Sequence, residues 1–258
     1  MTVCRSATIG LLHRIRKCFG PFLLAGVVVL GCADAMDAGP EPRPLTSEEA
    51  SLLAAVLYNN HVAGSAVFEL YSVVTPGGDQ VFMSGTVDWS RSRGVAEVVV
   101  ASTDSTLEAV VWNGGFVAER HPKFDQLLAS RGVESPGYIV RPADFDRRLD
   151  AIIQIVASLA SANPENQLLL RQTRGSAYLR EDTLRGRSVD VLRFGDRSIY
   201  WLDRATGELV RFEGNNQAGT LPIVIDLTGQ PADVVLPRAQ QLIGIDQLPE
   251  LEALMSAL

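Results

Sequence analysis

Beyond residue 31 of this 258-residue chain, two histidines, His61 and His121, and a few acidic pairs are the residues suited to acid–base or metal chemistry. A general base needs a positioned partner, and a metal needs ligands at a spacing that gathers them, such as two histidines four apart on a helix. His61 and His121 lie 60 residues apart, and neither stands in such a motif. His121 precedes Pro122 in a polar turn, the setting of a solvated loop histidine. Asp144 with Asp146, and Glu181 with Asp182, fit a helix N-terminus and an exposed strand better than a pair of catalytic acids. There is no Gly-x-Ser-x-Gly elbow and no glycine-rich loop followed by Lys and a hydroxyl. The chain therefore reads as one without an enzyme's active site, a cofactor or a metal. A buried Asp or Glu pair beside His61 or His121 would reopen that question.

The remaining reactive groups are thiols, and Cys4, Cys18 and Cys32 all fall within the first 32 residues. Arg5, Arg14, Arg16 and Lys17 precede the apolar run PFLLAGVVVLGC, and no acidic residue occurs before Asp34. That order marks a secretory leader, and the run is far short of the about 20 apolar residues needed to cross a bilayer. Two cleavage readings compete. Ala33-Asp34-Ala35 fits an ordinary signal-peptidase site and would release a chain starting at Met36. Val29-Leu30-Gly31-Cys32 resembles the bacterial lipobox, with cleavage before a cysteine whose thiol is acylated. The lipobox is preferred because it accounts for a Cys preceded by Gly at the end of the apolar run; a free leader cysteine is the plain alternative.

Removal of residues 1–31 takes away four basic residues and no acidic one, leaving 19 basic against 30 acidic residues, a charge of −11 in place of −7. Such a balance argues against nucleic acid as a partner and against adsorption to anionic headgroups, so membrane attachment would fall to acyl chains on Cys32. No cysteine is left to form a disulfide within the mature domain. A single domain of roughly 210 residues is large enough to be held by its core alone.

Residues 33–45, with three prolines and a glycine, read as an extended tether. Thr46-Ser47-Glu48-Glu49 then predicts a capping box and a helix over 47–60, with Leu52, Leu53, Val56 and Leu57 on one side. From Ala66 the period changes to two, predicting strands over 66–74, 80–89, 95–101, 107–112 and 116–119, the last pair closed by Asn113-Gly114. A second helix is expected over 143–161, with Pro142 near its first turn and Phe145, Leu149, Ile152, Ile153, Val156, Leu159 and Ala160 as its stripe. Strands over 166–173, 176–182, 188–194, 198–203, 208–213 and 221–227 follow, then a Leu-rich acidic tail at 246–258 with the pattern of a short helix. Tight turns between successive strands imply an antiparallel meander.

Val98-Val99-Val100, Val110-Val111-Trp112 and Ile223-Val224-Ile225 are apolar on both sides of their strands. An antiparallel sheet with one solvated face should alternate, so something must cover the second face. Ordinary helix-covered core is one reading. The other is an apolar trough, partly filled by the 143–161 helix, that accepts an acyl chain. By strand and helix period, Phe68, Leu70, Met83, Val87, Val100, Val110, Trp112, Ile152, Val156 and Trp201 point into it.

Ser84-Gly85-Thr86-Val87-Asp88, Tyr178-Leu179-Arg180-Glu181-Asp182 with Leu184-Arg185-Gly186-Arg187, the run from Ile199 to Arg211, and Gly229 to Pro237 together resemble the LolA-like lipoprotein carriers and their mycobacterial LppX and LprG relatives. The resemblance covers most of residues 46–245 and implies an α+β fold: an incomplete, half-open antiparallel β-barrel with helices packed against its concave face. It further implies a lipid-binding protein that holds a glycolipid or lipoprotein acyl chain in an apolar cavity, with transport across the envelope as one use of that cavity. It brings no catalytic residue. The domains are then a signal peptide over 1–31, an anchored cysteine and tether over 32–45, and a LolA-like domain over 46–258. The expected location is the outer face of the cytoplasmic membrane or the cell envelope. The alternative use of the same fold is an envelope sensor that binds a partner protein; the connection over 120–142, with Pro122, Pro136 and Pro142, has no match in the family and would serve as a lid or partner surface.

Overall fold

The computed structural model describes residues 41–73, 80–101, 107–215, 222–228, 233–249 and 251. The leader, Cys32, residues 33–40 of the tether and the tail beyond 251 lie outside them. Thr46 opens the domain as its spacing predicts: its hydroxyl accepts from the Glu49 amide at 3.2 Å, and the Glu49 carboxylate accepts from the Thr46 amide at 2.8 Å. Helix α1 (Ser47–Ala63) ends at Gly64, whose φ of +80° suits a residue without Cβ. Ala50, Leu53, Ala54 and Val56 are its buried side. Leu52, expected there, is exposed, because it lies about 100° round the helix from Leu53.

The end of the extended tether is docked on the domain. Arg43 exchanges backbone hydrogen bonds with Tyr178 at 3.0 and 2.8 Å, and its guanidinium pairs with Glu49 at 2.6 Å and stacks 4.0 Å over the Tyr178 ring. Leu45 is buried.

The predicted meander is present as β1 (Ser65–Val73), β2 (Gln80–Asp88), β3 (Arg93–Ala101), β4 (Ala109–Asn113) and β5 (Phe116–Arg120). The segment 120–142 is more than a connection. It forms helix α2 (Asp125–Ser130) and strand β6 (Tyr138–Pro142), which pairs antiparallel with β5. Pro142 therefore ends a strand, and helix α3 (Arg148–Ala157) starts later than its apolar stripe predicts. Residues 167–172 form helix α4 (Gln167–Gln172) where a strand was expected, capped by Asn166, whose side chain accepts from the Leu168 amide at 2.9 Å.

The chain next lays down β7 (Ala177–Leu184), β8 (Arg187–Phe194), β9 (Ser198–Asp203), β10 (Leu209–Asn215) and β11 (Pro222–Leu227), and then β12 (Leu242–Gly244). Among the described residues, these twelve strands make one sheet in the order β12-β6-β5-β4-β3-β2-β1-β11-β10-β9-β8-β7. Its neighbours pair antiparallel, apart from β12 beside β6. Two meanders thus meet where β1 lies against β11, with Phe68 opposite Leu227. The sheet is not closed between β7 and β12. This is the α+β architecture expected, an incomplete antiparallel barrel with helices on its concave face. The main core contains Leu53 and Val56 of α1, Ile152, Ile153 and Val156 of α3, and Leu170 of α4, packed on inward residues of β1–β5 and β8–β11.

Candidate functional site

Alternation delivers most of the predicted lining to the helix-covered face. Phe68, Leu70, Met83, Val87, Val110, Trp112, Ile152 and Val156 lie buried in one cluster, and Val100 packs partly against it. The Phe68 and Trp112 rings are 6.3 Å apart, and Gly94 leaves room for Trp112, since a Cβ at that position would collide with the indole. The Trp89 Nε1–H donates to the Val156 carbonyl at 3.1 Å, tying the end of the second strand to α3.

Space remains at one end of the same face. A cavity of about 40 Å³ between α1, α4 and Tyr200 holds little more than water. Burial pushes the Tyr200 phenol up to about 12. A larger recess of about 400 Å³ opens at the C-terminal end of α1. Its floor is Ala66, Trp89, Leu209 and Leu227, all members of the core; Asn59, Thr206 and Glu208 contribute polar groups. An apolar floor continuous with the core and bordered by a few polar groups can take the tail of an amphiphile and leave its head wet. The residues named from sequence are not the ones that line it.

Trp201 lies on the opposite side of the sheet. Its neighbours Tyr200 and Leu202 point into the core, so alternation turns Trp201 outward into a second cluster with Val189, Val191 and Val210. Arg180 and Arg211 cover it, their guanidinium carbons 5.2 and 5.3 Å from its ring. Farther along the outer face, the apolar excess noted in the strands is left open. Phe82 and Val99 are 42% and 62% exposed, and the Phe82 ring packs tilted against Tyr71 with centroids 5.1 Å apart. With Val224 they line a groove of about 470 Å³ edged by Glu69, Glu97, Asp226 and Arg211.

Sequence reasoning missed a buried ionic cluster. Glu119 of β5, Arg141 of β6 and Asp150 of α3 are each almost wholly buried, and so is His121. Arg141 donates to both Asp150 oxygens at 2.6 Å each and, through Nε at 2.8 Å and again through Nη2, to Glu119 Oε1. His121 Nε2 lies 3.0 Å from Glu119 Oε2, and its Nδ1 is buried without a hydrogen-bond partner. Burial alone would push the Glu119 carboxyl up, but the His121 hydrogen bond and the Arg141 and Arg147 charges outweigh it and hold that carboxyl below the usual range. Burial opposes the Arg141 charge, yet Asp150 and Glu119 keep its guanidinium above the ordinary value. His121 is therefore no solvated loop histidine, and a buried acid does stand beside it. Both Glu119 oxygens are already engaged and the imidazole is sealed from solvent, so the cluster joins β5, β6 and α3 and presents no face to a substrate. Among the described residues no group of three His, Cys, Asp or Glu could hold a metal.

No protein-family model matches the chain, and no curated protein matches it in sequence. Solved structures do. An uncharacterized conserved protein from Thermus thermophilus is 8% identical, with a TM-score of 0.39 over 75% of this chain and 96% of that one. A chain of the Pseudomonas aeruginosa MucA/MucB complex is 16% identical, with a TM-score of 0.31 over 76% of this chain and 59% of its own length. A putative outer membrane lipoprotein-sorting protein domain from Vibrio parahaemolyticus is 9% identical, with a TM-score of 0.30 over 71% and 92%. At such scores the reading of the site rests on this chain's own residues.

Proposed function

We propose that this is an exported envelope protein, lipid-anchored at Cys32, that binds an acylated amphiphile by burial alone, without covalent chemistry. The observation that carries the reading is the recess at the end of α1, where core residues Ala66, Trp89, Leu209 and Leu227 reach an opening with polar groups at Asn59, Thr206 and Glu208. Its about 400 Å³ falls in the range of small-ligand sites, about 300–1,000 Å³. Apolar area removed from water, at about 25 cal/mol per Å², would supply most of the affinity. The test is the mass of the domain without its anchor, residues 33–258, purified without detergent, under native and denaturing conditions. A mass excess that is lost on denaturation and extracts as lipid is expected. A bare polypeptide that takes up no added lipid overturns the reading.

The outer groove supports a second reading, an envelope sensor that grips a partner protein. Tyr71, Phe82 and Val99 form an open apolar strip between acidic residues, as a protein-binding face would. Photocrosslinking from position 82 in the native host distinguishes the two: a specific protein adduct with no bound lipid favours the sensor.

A further inference from the structure

The corner where the tether joins the domain carries a surface that the amphiphile site does not use. In α4, Leu168 and Leu169 stand side by side, 60% and 61% exposed, while Leu170 turns into the core. The stretch from 166 to 180 contains Arg171, Arg174 and Arg180 and no acidic residue, in a chain that is acidic as a whole. Arg171 and Arg174 are exposed and form no ion pair among the described residues; Arg171 donates to Ser47 Oγ at 3.1 Å. Ser47 begins α1, two residues before Glu49, which holds Arg43, and Arg43 is in turn bridged to Tyr178 just beyond α4. The exposed leucines, the two arginines and the place where the tether enters therefore share one corner.

We infer that this corner is a membrane-contact surface, with Leu168 and Leu169 entering the interface and Arg171 and Arg174 meeting anionic phospholipid headgroups. The inference rests on the proposed anchoring at Cys32. Arg43 follows Cys32 by eleven positions, a span of at most about 38 Å when fully extended. An anchor within that reach keeps the domain beside the bilayer with this corner nearest the attachment along the chain, where adjacent leucines bury apolar area and each arginine near an anionic surface adds roughly a fivefold gain in partition.

The test uses the full chain with Leu169→Cys, exported, purified and labelled at that thiol with an NBD dye, then reconstituted into phosphatidylcholine–phosphatidylglycerol vesicles. Val99→Cys labelled alike reports the outer face, the parent chain labelled in parallel corrects for Cys32, and the mass of the mature chain states separately whether Cys32 is acylated. A blue shift at 169, quenched by spin-labelled lipid and absent at 99, supports the corner. Arg171→Gln and Arg174→Gln should each lower the shifted fraction about fivefold. A label at 169 that stays in water on vesicles carrying the acylated chain overturns the corner and leaves the anchor standing. If Cys32 is unacylated, the anchor reading fails on mass, and the response at 169 to added vesicles still decides the corner: a shift upholds it and no shift overturns it.

Discussion

Replacing Arg141 by Met isolates what the buried ionic cluster contributes. The guanidinium makes four buried hydrogen bonds to Glu119 and Asp150 and a fifth, part-buried, to the Pro142 carbonyl at 3.2 Å. Met fills similar volume, so the loss is electrostatic: Glu119 and Asp150 stay buried without the guanidinium that bridges them. Removing one partner of a buried ion pair costs about 3–5 kcal/mol, a large part of the roughly 5–15 kcal/mol typical of a folded domain. Urea unfolding followed by circular dichroism at pH 7 should show that loss with an unchanged slope. The sign with pH is also fixed. In the parent chain Glu119 titrates below its unfolded value, so its contribution is present above about pH 4.5 and is lost as pH falls through the folded pKa. Without Arg141, Glu119 loses one of the charges that oppose its burial, and its carboxyl becomes easier to protonate than in the parent. The gap between parent and variant should therefore be widest at neutral pH and narrow towards pH 4. A loss under about 1 kcal/mol at pH 7, or one that does not change with pH, would refute the reasoning.

Ala63→Trp places an indole in the recess from an exposed position and should abolish lipid uptake while leaving the melting temperature within a few degrees; retained uptake by native mass spectrometry would move the site elsewhere. Gly85→Ala drives a Cβ into the Val95 carbonyl and the Ala96 backbone of the paired strand, which cannot swing aside, so a loss of about 1–3 kcal/mol is expected in urea unfolding. With its phenol raised to about 12 by burial, Tyr200 should stay protonated in the folded protein well past pH 10, and stability should fall as pH rises from about 10 towards 12 because the unfolded chain ionises first. Ultraviolet titration of Tyr200→Phe against the parent reads both effects.

Period and turn chemistry made much of this fold legible. The Thr46–Glu49 box, the alternation of Ala66, Phe68 and Leu70, and Asn113-Gly114, with Gly114 at φ +62°, each state a local preference that tertiary packing then agrees with. What failed did so for identifiable reasons. Gln167–Gln172 is a short apolar run with no decisive period, and the Asn166 cap was the signal that a helix begins there. β6 was hidden between Pro136 and Pro142, and its inward Arg141 looked like a surface charge. Arg141 lies 22 residues from Glu119 and 9 from Asp150, a spacing that says nothing until β5, β6 and α3 are folded together. Trp201 shows the limit of counting in twos, because β9 is apolar on both sides and the inward pair was Tyr200 with Leu202.

The seam between β1 and β11 sets an order of events as well as a shape. Phe68 meets Leu227 across an interval of 159 residues, so pairing them closes a very long loop, whereas β1 to β5 are neighbours in the chain and pair in order. The first meander can form while the second is still being made. Its β1 edge must then wait, unpaired, for the arrival of β11. During that wait Tyr71 and Ser72, which end opposite Val224 and Ile223, present open backbone groups to any other extended chain. A chain that is slow to finish is thus exposed at its middle strand, and holding that edge until the last third arrives is where a folding escort would act.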